Sequence, residues 1–119
     1  MSFTVRVTHG LPYLLVQVQG MVGLADLCGV AELAATVARL SGQRRALIDM
    51  LDMQLSMSFT DHLQLGTYVA EALQGLERVA SVVSPAQRSG ASEKAAQRSG
   101  LPVRAFTDLQ EASGWILEP

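Results

Sequence analysis

The chain has 119 residues, a formal net charge of −2 and a sequence pI of about 5.6. Nine lysine and arginine residues on such a chain do not make a surface that follows a phosphate backbone, so nucleic acid is not expected as a partner. Hydrophobic residues make up 49% and charged residues 17% of the chain, as in soluble globular domains. This length is that of one domain, and we expect residues 1–119 to form a single one.

Cysteine content and hydrophobic runs exclude several further classes. Cys28 is the one cysteine, so neither an internal disulfide nor a closed zinc site is expected. Its place within a helical apolar pattern predicts a buried structural thiol. No apolar run approaches the roughly 20 residues that span a bilayer, and no basic segment precedes an apolar block at the N-terminus. We expect a cytoplasmic protein without metal or cofactor.

The N-terminal half predicts two strands, a helix and a third strand. Alternating apolar residues indicate strands at residues 3–8 and 13–19, and the Gly/Pro turn between them favours an antiparallel hairpin. A helix is predicted over residues 24–40, followed by a short buried parallel strand at 46–50. Its apolar stripe comprises Val30, Leu33, Val37 and Leu40, widened by Leu27, Ala31, Ala34 and Ala38.

The C-terminal half alternates helices and strands. A helix is predicted over residues 60–76, with Thr60 or Asp61 as the capping residue. A strand at 78–84, a short helix at 92–98 and a strand at 103–106 follow, and Thr107 or Asp108 begins a closing helix. Such alternation requires crossover connections, which predicts an α/β fold with an open, mostly parallel sheet. We expect five strands, one antiparallel edge, and four helices mainly on one face.

A pentapeptide occurs twice within the small, polar stretch before the last strand. Residues 86–90 are repeated at residues 96–100. Two copies ten residues apart do not make a solenoid, so the repeat is interpreted as chance or local duplication.

Motifs in the C-terminal third resemble the SpoIIAA-like branch of the STAS superfamily. Residues 78–83 are similar to its "R-v-A-v-V" strand, Glu93 and Ala96 to its "E…A" pair, residues 103–106 to its "v-r-v-F" strand, and residues 111–116 to its "e-A-l-a-W-l" ending. The resemblance implies a small β/α superhelix whose sheet order follows chain order. It also implies a non-enzymatic protein, either a regulatory partner or a module that binds apolar ligands or membrane surfaces.

The residues give little support for catalysis. The two histidines are His9, in a predicted turn, and His62, in the first turn of the second predicted helix. His62 is the candidate for a functional base, and its pairing with Ser56 or Ser58 would argue for an enzyme. Asp49 and Asp52 are close enough to pair or to bind a cation. The simpler interpretation of Asp49 is that its carboxylate accepts from backbone N–H groups at the end of the strand.

Ser58 is the candidate for phosphorylation. STAS-type anti-sigma factor antagonists carry a target serine in an Asp-Ser-Ser-Gly context at the start of the second helix. Ser58 lies close to that position, with Ser56 just before it, and a phosphate at a helix N-terminus is physically favourable. The Asp-Ser-Ser-Gly pattern is absent, however, and a helix N-cap is the simpler interpretation of Ser58.

An alternating segment supplies the candidate ligand-binding residues. From Leu51 to Phe59 each apolar residue is followed by a polar one, which predicts one extended segment with an apolar face. Methionine adapts to irregular apolar partners, and ligands of open α/β sheets bind beyond the carboxyl ends of the strands. The predicted site comprises Met53, Leu55, Met57, Phe59 and Tyr68. Simple closure of the core by the same residues is the alternative.

The partners expected from this pattern are an apolar small molecule, lipid or acyl chain, or a peripheral membrane surface. Trp115 is a rival contact point, although packing against the sheet is the simpler interpretation for it. The alternative function is a STAS-type regulatory protein that acts by protein–protein interaction. The oligomeric state stays open, with a homodimer among the possibilities.

Overall fold

A computed structural model describes residues 3–87 and 90–119. Most of the predicted elements are present at their predicted places. The first copy of the pentapeptide repeat lies partly outside the described residues. The elements in chain order are β1 (Phe3–Thr8), β2 (Leu14–Val22), α1 (Leu24–Ser41), β3 (Arg45–Leu55), α2 (Phe59–Ala72), β4 (Arg78–Val83), a 3₁₀ turn (Pro85–Gln87), α3 (Ala91–Arg98), β5 (Val103–Phe106) and α4 (Leu109–Leu117).

The five strands form one sheet in the order β1-β2-β3-β4-β5. β1 and β2 pair antiparallel, with Val5 opposite Val18. The other three pairings are parallel, because each crossover between them contains a helix. The predicted α/β class, the antiparallel edge and the sheet order that the SpoIIAA-like resemblance implied are all confirmed.

Helices cover the sheet unequally. One apolar cluster joins the sheet to α1, α2 and α3, and includes Val16, Ile48, Leu65 and Ala96. A smaller cluster on the opposite face joins the sheet to α4 through Ala112 and Ile116. Three of the four described helices therefore lie on one face, as the sequence predicted.

β2 and β3 are longer than the sequence predicted. β2 continues through Gly20, whose φ of 106° favours glycine, to Val22. β3 continues to Leu55, so most of the alternating segment is a strand paired with the end of β2 rather than a loop. The prediction of a strand ending near residue 50 was wrong, because the added length of each strand supplies hydrogen-bonding partners for the other.

Asp49 stabilises a bulge within β3 rather than the end of the strand. The register between β2 and β3 shifts after Gln17 and Asp49, and resumes with Gln19 opposite Asp52. One β2 residue therefore faces two β3 residues, which leaves backbone groups without ladder partners. The Asp49 carboxylate accepts from the Leu51 N–H at 3.1 Å and from Gln17 Nε2 at 3.2 Å. The predicted bond to backbone N–H groups is confirmed, but its place in the strand is different.

The buried face of α1 differs from the predicted stripe. Leu33 is 40% exposed and Leu40 is 78% exposed, so these two residues do not belong to the core. The buried residues are Leu27, Val30, Ala31, Ala34 and Ala38. The alanines, predicted only to widen the stripe, form much of the buried face. Small side chains let the helix axis lie close to its neighbours.

α2 ends at Ala72 rather than at residue 76. Leu73 already departs from helical geometry, and Gly75 follows with a φ of 97°. A left-handed residue cannot continue a right-handed helix, and glycine adopts this conformation without strain. Leu73 remains buried in the turn, so the predicted apolar pattern continues although the helix does not.

Two arginines fix α4 at the end of the sheet where the parallel strands begin. Arg45 Nη1 donates to the Ile116 carbonyl at 2.8 Å, and Arg78 Nη1 donates to the Trp115 carbonyl at 2.6 Å. Such charged donors satisfy the carbonyls that a helix C-terminus leaves free. The Trp115 ring packs against Phe106, with a centroid distance of 5.7 Å, and beneath the Arg78 guanidinium. The packing of Trp115 against the sheet is confirmed.

Gly66 sets the distance between α2 and α3. A Cβ atom at this position would lie 2.4 Å from the Ser92 carbonyl oxygen and 2.6 Å from Ala95 Cβ. Both distances are far inside van der Waals contact, and one of the neighbours is a backbone atom. Any side chain at residue 66 must therefore push the two helices apart.

We expect Gly66→Ala to lower the free energy of unfolding by about 2 kcal/mol, because overpacking in a core costs about 1–3 kcal/mol. Gly29→Ala in α1 is the matched control, because a Cβ there meets nothing within 4 Å. It should raise stability by up to about 1 kcal/mol through helix propensity. Urea denaturation of the two variants checks this, and equal stability changes would contradict the close helix contact.

Candidate functional site

The N-terminus of α2 is closed by a capping box between Ser58 and Asp61. Ser58 Oγ accepts from the Asp61 N–H at 3.1 Å, and Asp61 Oδ2 accepts from the Ser58 N–H at 3.1 Å. Each side chain satisfies a backbone donor that the helix leaves unpaired. The interpretation of Ser58 as the N-cap is confirmed. The prediction of Thr60 or Asp61 as the cap was wrong, because Asp61 is the third residue of the helix.

Exposed apolar residues follow Ser58 directly. The Phe59 side chain is 69% exposed and Leu63 is 37% exposed. These two residues are one helical turn apart and therefore lie on the same face of α2. Ser58 is itself exposed. We call Ser58, Phe59 and Leu63 the α2 N-terminal surface.

The buried residues of α2 cover an apolar cavity of about 110 Å³ between the sheet and the three helices of the larger layer. Leu65 and Gly66 of α2 line it, together with Val30 of α1, Ile48 of β3 and Ala96 of α3. The small residues Gly66 and Ala96 bring the helices together without filling the space between them and the sheet. We call this space the inner cavity.

A second cavity of about 80 Å³ lies beside the carboxyl ends of β3 and β4. Six residues line both cavities, which are therefore adjacent: Leu27, Met50, Leu65, Ser81, Ser92 and Glu93. The second cavity, which we call the outer cavity, is also lined by Gln87 and Gly90, which follow β4. The residues that follow β4 and the end of the alternating segment thus meet at this edge of the sheet.

The structure brings together three of the five predicted ligand-binding residues. Met53, Leu55 and Met57 line the outer cavity. Phe59 lies on the exposed surface of α2, and Tyr68 lies in a groove between α1 and α2 with Glu32. Met53 is only 3% exposed, so it belongs to the core as well as to the cavity wall. Closure of the core therefore applies to Met53, and its role in ligand binding stays a prediction.

Polar groups gather at the outer cavity. His62 Nδ1 and Ser92 Oγ are 2.9 Å apart and link α2 to α3. Glu93 Oε2 accepts from the Ala105 N–H at 2.7 Å. Gln87 Oε1 is buried and has no hydrogen-bond partner among the residues that the structure describes. Ser92 and Gln87 were not predicted as site residues from the sequence, because only the crossover between β4 and β5 places them near His62.

The His62 side chain pairs with Ser92 rather than with Ser56 or Ser58. A serine–histidine pair is one part of a nucleophilic site, which also requires a third group that orients the base. In the part of the chain that the structure describes, the His62–Ser92 pair has the geometry of a bridge between two helix N-termini. His9 is an exposed residue of the β1–β2 turn.

No cluster of three or more histidine, cysteine or acidic side chains suited to a metal lies within residues 3–87 and 90–119. The Asp49 carboxylate is held by Gln17 and a backbone N–H, whereas Asp52 is exposed. The predicted alternative of an Asp49–Asp52 pair is therefore not what the strand geometry produces. None of the described helices combines the length and the apolar character needed to cross a membrane.

Comparison with solved structures identifies the architecture. An anti-sigma factor antagonist from Mycobacterium paratuberculosis superposes with a TM-score of 0.68 at 14% sequence identity, covering 98% of this chain and 96% of its own. The chain has the SpoIIAA-like fold. The order of elements and the sheet order predicted from the resemblance are those of this fold.

Two further structures agree. An uncharacterised DUF3478 protein with a SpoIIAA-like fold from Shewanella loihica PV-4 gives a TM-score of 0.57 at 21% identity, with 96% of this chain and 93% of that one covered. The anti-sigma factor antagonist SpoIIAA in its unphosphorylated form gives 0.57 at 10% identity, with 95% and 97% covered. No family model and no curated protein sequence matches the chain.

Tyr68 is held by α1 rather than directed into the cavities. Its hydroxyl donates a hydrogen bond to Glu32 Oε1. This bond, with smaller contributions from desolvation and nearby negative charge, raises the pKa of Tyr68 to about 12. Burial, followed by the charge of Glu32, also raises the pKa of the Cys28 thiol. Cys28 is half-buried rather than fully buried as the sequence predicted.

The Tyr68–Glu32 bond should be lost at high pH. A raised pKa in the folded state means that the stabilisation is complete below the ordinary tyrosine pKa, and is lost as pH rises through about 12. Spectrophotometric titration at 295 nm of the wild type and of Glu32→Gln checks this. Glu32→Gln should return one tyrosine to an ordinary pKa, and identical titration curves would contradict the contact.

Proposed function

We propose that the chain is a non-enzymatic regulatory protein that binds a protein partner through the α2 N-terminal surface. The single observation that carries the proposal is the pairing of an exposed capping serine, Ser58, with the exposed apolar side chains of Phe59 and Leu63. Two structures of the same fold are of anti-sigma factor antagonists. The partner we propose is accordingly a protein of the anti-sigma factor class.

The surface has the composition of a protein-binding site. Aromatic side chains dominate the binding energy of protein interfaces, and Phe59 presents most of its ring to solvent. The surface lies on a 14-residue helix with a closed capping box, so little conformational entropy is lost when a partner binds. An exposed aromatic residue on a rigid helix supports partner binding. A neighbouring serine that can be phosphorylated supports the regulation of that binding.

Ser58 is the proposed site of that regulation. SpoIIAA, which shares the fold, is described in an unphosphorylated form. A phosphate on Ser58 would be stabilised by the free N–H groups at the start of α2. It would also stand beside the Asp61 carboxylate that now accepts from the Ser58 N–H. We infer that phosphorylation opens the capping box and adds charge next to Phe59, and that both effects weaken partner binding.

The alternative function is binding of an apolar ligand or of a membrane surface. The apolar cavity beneath α2 favours a small ligand over a membrane surface, because the cavity residues face the sheet rather than solvent. This function does not exclude the first, since the residues of the partner surface are exposed and do not line the cavity.

Substitutions at Ser58 can separate charge from capping. Asparagine and aspartate are both good N-cap residues, so Ser58→Asn and Ser58→Asp should fold with stabilities within about 0.5 kcal/mol of the wild type. We expect Ser58→Asn to bind a purified anti-sigma factor of the source organism as the wild type does. Ser58→Asp should bind at least tenfold more weakly, as measured by isothermal titration calorimetry.

Mass spectrometry after incubation with that partner and ATP supplies the companion measurement, and should locate phosphate on Ser58. Ser56→Ala is the control and should leave the modification unchanged. Equal partner affinity for Ser58→Asn and Ser58→Asp, together with unmodified Ser58, would remove the phosphorylation proposal. Absence of wild-type binding to every anti-sigma factor of that organism would remove the regulatory function itself.

A further inference from the structure

A groove between α1 and α2 is open to solvent. It measures about 450 Å³ and is lined by Glu32, Ala35 and Thr36 of α1 and by Tyr68, Glu71 and Ala72 of α2. We propose that this α1–α2 groove receives a lysine or arginine side chain of the protein partner that binds the α2 N-terminal surface. The inference rests on the proposed function and adds to it the charge that the partner carries.

The groove is large enough for a long side chain. Its volume of about 450 Å³ lies within the range of ~300–1,000 Å³ that is typical of ligand-binding clefts. Ala35 and Ala72 are half-buried and contribute only methyl groups to its wall. Such a wall suits the methylene groups of a lysine or arginine, whose charged end stays with polar groups and solvent.

The charged residues that line the groove are acidic. Glu32 and Glu71 are both exposed, and the described lining includes no lysine or arginine. The acidic members of the ion pairs among the described residues are Glu77 and Glu118, so neither groove carboxylate has a basic partner within this part of the chain. Two carboxylates on facing helices give the groove a negative potential, which is complementary to a cation.

The titration of Tyr68 reflects the same negative potential. Its hydrogen bond to Glu32 is the largest cause of the raised pKa of Tyr68, and the neighbouring groups Glu32, Cys28 and Glu71 raise that pKa further through their charge. No positive charge among the described residues offsets them. The half-buried Tyr68 ring also lines the groove, and aromatic rings attract cations.

The groove lies next to the α2 N-terminal surface. A shallow depression along α2 is lined by Leu63, Gln64, Thr67, Tyr68 and Glu71. It shares Tyr68 and Glu71 with the groove, and Leu63 with the α2 N-terminal surface. Leu63 and Glu71 are separated by about 12 Å along the helix, at a rise of ~1.5 Å per residue. A partner that buries ~800 Å² of this protein can therefore cover both regions.

Charge reversal at Glu71 tests the inference. In calorimetric titration at about 50 mM NaCl, Glu71→Lys should bind the purified anti-sigma factor about tenfold more weakly, because attraction becomes repulsion. The variant should fold normally, since Glu71 is exposed and a lysine near the C-terminus of α2 is favourable. Glu111→Lys is the matched control on α4, which packs on the other face of the sheet. It should bind within about twofold of the wild type, because distant exposed charges are screened.

Salt dependence separates a charge contact from a loss of packing. At about 500 mM NaCl the affinities of Glu71→Lys and the wild type should differ by less than about threefold, since salt screens exposed charges. Glu32→Gln is a second variant, which removes the charge from the α1 side of the groove and keeps an acceptor for the Tyr68 hydroxyl. It should weaken binding at low salt about threefold, as expected for one exposed ion pair.

Failure of this inference differs from failure of the proposed function. If the wild type binds and Phe59→Ser weakens binding, but Glu71→Lys or Glu32→Gln binds as tightly as the wild type, the groove does not receive a cation. An equal loss for Glu111→Lys, or a loss for Glu71→Lys that persists unchanged at high salt, would also contradict the inference. If the wild type binds no anti-sigma factor of the source organism, the proposed function and this inference are both removed.

Discussion

The close contact between α2 and α3 at Gly66 determines how the functional surfaces of this protein are arranged. Because Gly66 has no side chain, α3 approaches the α2 backbone, and the His62–Ser92 hydrogen bond joins the two helices one turn earlier. Contact between the two helices therefore leaves part of the space between them and the sheet empty. The cavity beneath them and the orientation of the α2 N-terminus both follow from this contact.

α2 consequently serves two environments. Ser58, Phe59 and Leu63 are exposed at its N-terminus, whereas His62, Leu65 and Gly66 line the cavities. The capping box at Ser58 and Asp61 fixes the start of the helix that carries both sets of residues.

Much of the fold could be predicted from the sequence because each element carries a local signal. Alternation identified β1 and β2, and the spacing of apolar residues identified α1, α2 and α4. Long-range pairing carries no such signal, so the extension of β3 to Leu55 was missed although its alternation was recognised. Leu33 was wrongly placed in the core, because periodicity alone does not show that Ala31 and Ala34 are buried in its place.

The candidate site was predictable only where it is contiguous in sequence. Met53, Leu55 and Met57 alternate along the end of β3 and the segment that follows it, and all three line the outer cavity. Phe59 continues the same alternation but lies beyond the strand, at the first residue of a helix, where the period of two no longer applies. Ser92 and Gln87 lie on the crossover connection between β4 and β5. No sequence pattern near either residue predicts its position at the site.

The central claim is that a protein partner binds to the α2 N-terminal surface. The affinity of a purified anti-sigma factor for variants of this surface tests the claim most directly. Phe59→Ser and Leu63→Ser should each weaken binding at least tenfold, with melting temperatures close to that of the wild type because both side chains are exposed. Leu40→Ser removes an even more exposed apolar residue from the far end of α1 and should bind normally. Full affinity of Phe59→Ser and Leu63→Ser, or an equal loss for Leu40→Ser, would contradict the account.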